Sequence, residues 1–158
     1  MLFEERQPAP RAWSLIAVVP GVILILAALS GDRVPLDSVI ACAVVTVVLG
    51  LWLRNIELQT QVSDEEIHLR FRGLFKSRRV PISSIRRAQA RTYRPIAEYG
   101  GWGIRYGGSR GWAYNMSGKE GVHLDLDGSK GLLIGSQKAQ ELVEAIGASP
   151  NFRPEAAA

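Results

Sequence analysis

The sequence predicts a membrane α-helical hairpin joined to a mainly-β (α+β) domain that ends in one C-terminal helix. Three observations predict it. Two apolar runs near the N-terminus carry no charge, the period of the pattern drops from helical to two after Arg54, and one amphipathic helical stretch closes the chain. With 47% of 158 residues apolar and 22% charged, a disordered or collagenous chain is excluded.

Residues 12–30 and 38–53 are the charge-free runs. Crossing about 30 Å of hydrocarbon takes roughly 20 apolar residues at about 1.5 Å each, so the first run is long enough. The second reaches spanning length when it is extended to residue 36. Pro20 lies within the first run and is expected to kink it. Gly31, Asp32, Arg33, Val34 and Pro35 form a link too short for anything but an antiparallel hairpin, spans 12–30 and 36–53. Such a hairpin brings Trp13 and Trp52 to one interface. Arg6, Arg11 and Arg54 flank the hairpin against Arg33 in its loop, so the positive-inside rule puts both termini in the cytoplasm. The alternative is a cleaved signal peptide with Ala28-Leu29-Ser30 as a poor cleavage site, although the run exceeds the usual h-region of about 7 to 15 residues. Cys42, the one cysteine, falls within the second run and is expected to be a packing residue.

Residues 54–147 read as one domain, 1–11 as a cytoplasmic N-terminus and 148–158 as a disordered tail. Residues 54–158 hold sixteen Lys and Arg against eleven Asp and Glu, a net of five positive charges. Ile56, Leu58, Thr60 and Val62 alternate with polar residues, as do Ile67, Leu69 and Phe71 with His68, Arg70 and Arg72, predicting a first hairpin with a basic outer face. Further strands are expected over 74–82 and 86–94, around Trp112, Tyr114 and Met116, around Val122, Leu124 and Leu126, and over 132–134. Ser83 and Ser84 mark a short helical turn. A glycine-rich aromatic block, residues 99–111, separates the fourth strand from the fifth. Ala139, Leu142, Val143 and Ile146 have helical spacing, with Ser136 as the expected N-cap and Gly147 as the C-cap.

About seven antiparallel strands in two bent sheets and a final helix is the element order of the pleckstrin-homology (PH) superfold. The segments Glu98-Tyr99-Gly100-Gly101-Trp102-Gly103-Ile104-Arg105, Ala113-Tyr114-Asn115-Met116-Ser117-Gly118 and Leu132-Leu133-Ile134-Gly135-Ser136-Gln137 resemble those of an uncharacterised family of bacterial membrane proteins. In that family two transmembrane helices precede a PH-like cytoplasmic domain. The resemblance spans roughly residues 10–147 and implies fold and topology, with no activity attached to any residue.

Catalytic signals are thin, so the protein is expected not to be an enzyme and no cofactor is implied. His68 and His123 sit on polar strand faces without a metal-ligand spacing. Gly101 and Gly103 begin a GxGxxG pattern that Tyr106 breaks, and Asp125 and Asp127 flank a turn at Gly128. The unusual feature is charge. Nine basic residues and no acidic one lie between Arg70 and Arg94. Near an anionic leaflet each cation contributes about 1 kcal/mol. Arg78, Arg79, Arg86 and Arg87 are therefore the expected lipid-binding residues, the competing reading being topogenic charge on solvated strands. Tyr99, Trp102, Arg105 and Trp112 are the candidates for docking a membrane-protein partner, the competing reading being loop and core packing. Nucleic acid is a weaker prospect, because the domain is tethered to the expected hairpin and the aromatics of the glycine-rich block are not interleaved with the basic run. The expected protein is an inner-membrane, two-pass chain whose PH-like domain binds anionic lipid, or alternatively docks a partner through the Gly/Trp block.

Overall fold

A computed structural model describes residues 1–30 and 33–154. Gly31 and Asp32 of the expected interhelical link lie outside the described residues, as do residues 155–158 of the expected tail. The chain divides into two compact units: Met1–Pro8 together with the chain from Glu57 onward, and Ala9–Ile56.

In the Ala9–Ile56 unit a 3-10 segment, Arg11–Val18, runs into α1 (Val19–Leu29), and α2 covers Leu36–Arg54. The first apolar run is thus not one continuous α-helix. The switch comes at Pro20, which has no N–H to bond Ile16, so Val19 N–H closes a three-residue turn onto Ile16 O instead. Helix α2 is long and apolar enough to cross a membrane, while the α-helical and 3-10 stretch Leu15–Leu29 falls short of that length. Gly50, near the end of α2, faces Ala17, near the start of the first run, so the two run antiparallel. Val22, Ile23, Ile25 and Leu26 on α1 and Val44, Val47, Val48 and Leu51 on α2 are all exposed, an apolar surface suited to lipid.

The other unit is α+β, with nine strands among the described residues rather than seven. The first sheet is a meander of β1 (Phe3–Pro8), β2 (Glu57–Val62), β3 (Glu66–Arg72) and β4 (Lys76–Pro81). A 3-10 turn at Ile82–Ser84 leads to β5 (Ile85–Thr92). Then come α3 (Pro95–Tyr99), β6 (Gly103–Tyr106), β7 (Trp112–Asn115), β8 (Glu120–Leu126), β9 (Leu132–Gly135) and α4 (Ala139–Gly147). The second sheet has the order β5-β8-β9-β7-β6. Its β7–β9 pair is parallel, so the all-antiparallel expectation is corrected there.

Alternation explains the core. Val62, Ile67, Leu69 and Val80 from the first sheet meet Val122, Leu124, Leu132 and Ile134 from the second, and Leu142 and Ile146 of α4 join the same cluster. Each such aliphatic side chain contributes about 1.5–3 kcal/mol when fully buried. The spacing predicted for α4 holds, but its caps differ. Lys138 precedes the helix without a side-chain cap, and Gly147 is its last residue. Ser136 Oγ still accepts from Lys138 N–H at 3.0 Å.

Strand β1 is the main departure. The N-terminal residues, expected to be a plain flank, pair antiparallel with β2 from Phe3↔Val62 to Pro8↔Glu57. Their inward set is Phe3, Glu5 and Gln7, two of the three polar, so no apolar alternation marks a strand. The buried Glu5 carboxylate accepts from Ser136 Oγ at 2.5 Å and Gln137 N–H at 2.8 Å. Gln7 Nε2 donates to Gly135 O at 2.8 Å. The tail also departs from expectation. Ser149 is buried and donates to Asp64 O at 2.6 Å, and Phe152 packs on the core, so order extends past residue 148.

Joining Pro8 to Glu57 through a short turn in place of Ala9–Ile56 is expected to give a soluble domain with cooperative thermal unfolding. The same chain lacking residues 1–8 is expected to aggregate. A truncated form that melts as cooperatively as the joined one would refute the role of β1. Within the full chain, Glu5→Ala leaves two buried donors unpaired and is expected to cost about 1–3 kcal/mol in denaturant titration.

Candidate functional site

The inner face of the first sheet is committed to the core, which leaves its outer face to carry the charge. On β3 the outward residues are Glu66, His68, Arg70 and Arg72, and on β4 register sets Arg79 beside His68 and Ser77 beside Arg70. His68, Arg70, Arg72, Lys76, Ser77 and Arg79 line an open cavity of about 440 Å³, with Phe71, Gly73 and Phe75 completing its wall. Arg72 pairs with Glu57 at 3.4 Å and Arg79 with Glu66 at 3.7 Å. Exposed pairs of this kind are worth about 0–1 kcal/mol, so a polyanion can displace them. Arg70 and Lys76 have no acidic partner among the described residues. The cup is therefore an electropositive surface built on two paired strands, with Ser77 among its lining residues.

The four arginines expected to bind lipid do not form one patch. Arg79 lines the cup. Arg78 lies one residue out of phase, in register with Leu69, and stacks over the Tyr114 ring at 5.7 Å. Arg86 and Arg87 open β5 in the second sheet. Arg86 is ion-paired with Asp127, and Arg87 stands opposite Asp125 in the ladder with β8. Arg70, Arg72 and Lys76, which belong to the same basic stretch but not to the four expected residues, line the cup with Arg79. Their signal was the period-two pattern that puts His68, Arg70 and Arg72 on one face.

The Gly/Trp block is ordered, and it splits the partner candidates. Tyr99, at the end of α3, is 5% exposed and packs edge-to-face on Tyr93 at 6.2 Å, in a small cluster with Ala113 and Leu133. It is a core residue and has no surface to offer a partner. Burial raises both tyrosines above the ordinary phenol range. Trp102 is half-buried, its Nε1 donating to Gly118 O at 3.3 Å, and its carbonyl accepts from Arg105 Nε at 3.0 Å. Trp112 is exposed and pairs with Tyr106 on the edge strand β6 at 5.2 Å, where Lys130 Nζ donates to the Tyr106 hydroxyl at 3.1 Å. Trp112 and Arg105 thus remain on the surface.

No family model matches this chain, and no curated protein matches it.

His123 Nε2 faces Asp125 at 3.3 Å, and no cluster of three or more metal-ligating side chains occurs among the described residues. A second cleft of about 380 Å³ between β5 and α4 mixes Arg91 and Lys138 with Glu120 and Glu141, so it has no charge bias.

Two measurements probe the block. A Cβ at Gly111 would lie 1.8 Å from Gly131 O where β7 meets β9, and its φ is +78°. At Gly118, φ +80°, a Cβ meets open space. Gly118→Ala is expected to cost only the left-handed conformation, about 1–2 kcal/mol, whereas Gly111→Ala is expected to cost more than that and to lower Tm further. Equal melting temperatures would contradict the close approach. Acid is the second probe. Burial pushes Glu98 up, but Arg94 N–H at 2.7 Å and the Arg91 guanidinium outweigh it, holding the carboxyl below its ordinary value. Its stabilising contribution is present above about pH 4.3, the unfolded carboxyl value, and is lost as pH falls through the lower folded one. Arg91→Gln is expected to make the protein less stable at neutral pH and to flatten that acid limb of a stability–pH curve.

Proposed function

We propose that this chain is a two-pass membrane protein with a PH-like cytoplasmic domain, acting by binding rather than by catalysis. Its partner is the anionic cytoplasmic leaflet of the cell membrane, engaged through the basic cup of Arg70, Arg72, Lys76 and Arg79. That cup is the observation that carries the reading. It concentrates four cations on one exposed, rigid face, and no acidic residue interrupts the sequence from Ile67 to Ala97. Each cation near a negatively charged surface contributes about 1 kcal/mol, and the sum is salt-sensitive.

Two features support an even number of crossings. Pro8 and Glu57 are paired neighbours, so a chain that leaves the domain at Pro8 must return to the same side. At about 2.0 Å per residue for the 3-10 segment and 1.5 Å for α1, residues 11–29 extend roughly 32 Å, close to the hydrocarbon thickness. The two sheets and the final helix support the PH-like description; in the bacterial family named by resemblance the two helices precede the domain, whereas here β1 comes before them.

A second reading keeps the aromatic surface. Tyr106 and Trp112 are an exposed pair of tilted rings, 53° apart, on the edge strand and its neighbour, a suitable anchor for a membrane-protein partner. Co-purification of such a partner that survives high salt and is lost in Trp112→Ala would favour it.

The lipid reading is tested on the full chain in nanodiscs of neutral or anionic phospholipid, by hydrogen exchange at low and high salt. Anionic lipid is expected to slow exchange over β3 and β4 several-fold at low salt, and Arg70→Glu with Arg79→Glu is expected to abolish the difference. Identical exchange in both lipids would defeat the reading.

A further inference from the structure

We propose that the turn between β3 and β4 is a separate membrane contact, in which Phe75 immerses in the headgroup–acyl boundary of the bilayer that the chain crosses. The inference rests on the chain being membrane-embedded, and it does not require selectivity for anionic lipid.

Phe75 is 98% exposed, the most exposed large apolar side chain among the described residues, and it stands at the tip of a hairpin. Such a ring gains about 1.5–3 kcal/mol on leaving water. Its backbone is also unusual. Phe75 has φ +51°, the one non-glycine residue with positive φ among those described. A bulky side chain there is strained, and Gly or Asn would fit the turn better. Neither strain nor exposure is repaid by any contact inside the domain, which points to a contact outside it.

The chemistry around the tip selects the occupant. Arg70 and Arg72 precede it and Lys76 follows it, with no carboxylate between Glu66 and Glu98 in sequence; Glu57 on β2 pairs with Arg72, which leaves Arg70 and Lys76 as the cations flanking the aromatic tip. That pairing suits a phospholipid interface, with apolar chains below and phosphates at the rim. A protein groove would have to be both apolar and acidic.

Register supplies the third argument. Glu57 pairs with Arg72 and Pro8 pairs with Glu57, so the β3–β4 turn is at the end of the sheet where the chain departs into Ala9–Ile56. The opposite end, at the β2–β3 turn, carries Asp64, Glu65 and Glu66. The sheet is therefore polarised, with an aromatic and basic turn at the end that holds Pro8 and Glu57, where the chain leaves and re-enters it, and an acidic turn at the other end.

The test uses the full chain in lipid vesicles, with Cys42→Ala and a spin label on Phe75→Cys or, for the acidic end, on Glu65→Cys. Label 75 is expected to collide with oxygen and to exclude a water-soluble nickel chelate several-fold relative to label 65. Shielding in neutral and anionic vesicles alike supports immersion while counting against anionic selectivity. Shielding in anionic vesicles alone supports both. Label 75 as open to the chelate as label 65 in both lipids overturns the immersion and leaves the basic cup to its own test. A label-free check is Phe75→Asn, which fits the turn and loses no internal contact. In vesicles it is expected to raise hydrogen exchange over residues 73–76 several-fold with the rest of the domain unchanged, and equal exchange in the two proteins would overturn the proposal.

Discussion

The ladder between β1 and β2 is the constraint on which everything else depends. Its two strands are neighbours in the sheet, yet the whole of Ala9–Ile56 lies between them in sequence. A β-hairpin is ordinarily closed by a few residues, and a flexible connection of this length would cost about 3 kcal/mol in loop closure. A helical hairpin whose arms are antiparallel returns its ends to one place and removes most of that cost. The Ala9–Ile56 unit is thus an insertion into a β-hairpin, and the domain on either side of it is continuous. Glu5 and Gln7 lock the inserted arrangement from inside, tying the first strand to Gly135, Ser136 and Gln137, the very residues that lead into α4.

That constraint orders the electrostatics. With the inner face of the first sheet closed over the core, its outer face became the place where charge accumulates, and period two decided which arginines share it. Arg78 and Arg79 are adjacent in sequence and serve opposite faces, one over Tyr114 and one in the cup. A run of basic residues is therefore not a patch. Strand phase divides it, and cross-strand acids at Asp125 and Asp127 neutralise part of the remainder.

Much of the fold was legible from pattern alone: the α+β class, the two apolar runs, β2 to β5, β7 to β9 and the apolar stripe of α4. What stayed hidden shares a physical cause. Strand β1 buries polar residues, β6 is a four-residue edge strand starting at a glycine, and α3 is five residues long behind Pro95, so none carries a periodic apolar signal. The tail beyond Gly147 is held by side-chain bonds to Asp64 O, which no composition rule reports. Of the site, the basic outer face of β3 was legible and its boundaries were not, because they depend on which residues of β4 are paired with it. For Tyr99 docking and core packing were competing readings of the glycine-rich block, and the structure has the core one: the ring is buried, with Gly107 so close that a Cβ there would lie 2.8 Å from it.

The insertion also sets an order of events. Residues 3–8 leave the ribosome before either apolar run, and their partner strand is synthesised only after the second one has ended. The first strand must wait, unpaired and short enough to resist aggregation, until residues 9–56 have been made and β2 follows. Polar Glu5 and Gln7 on its inward face suit that wait, since a strand of alternating valine and isoleucine would be a template for other chains. The first sheet can close only once residues 9–56 have been synthesised, so a chain arrested within them leaves β1 without its partner strand and presents an open edge.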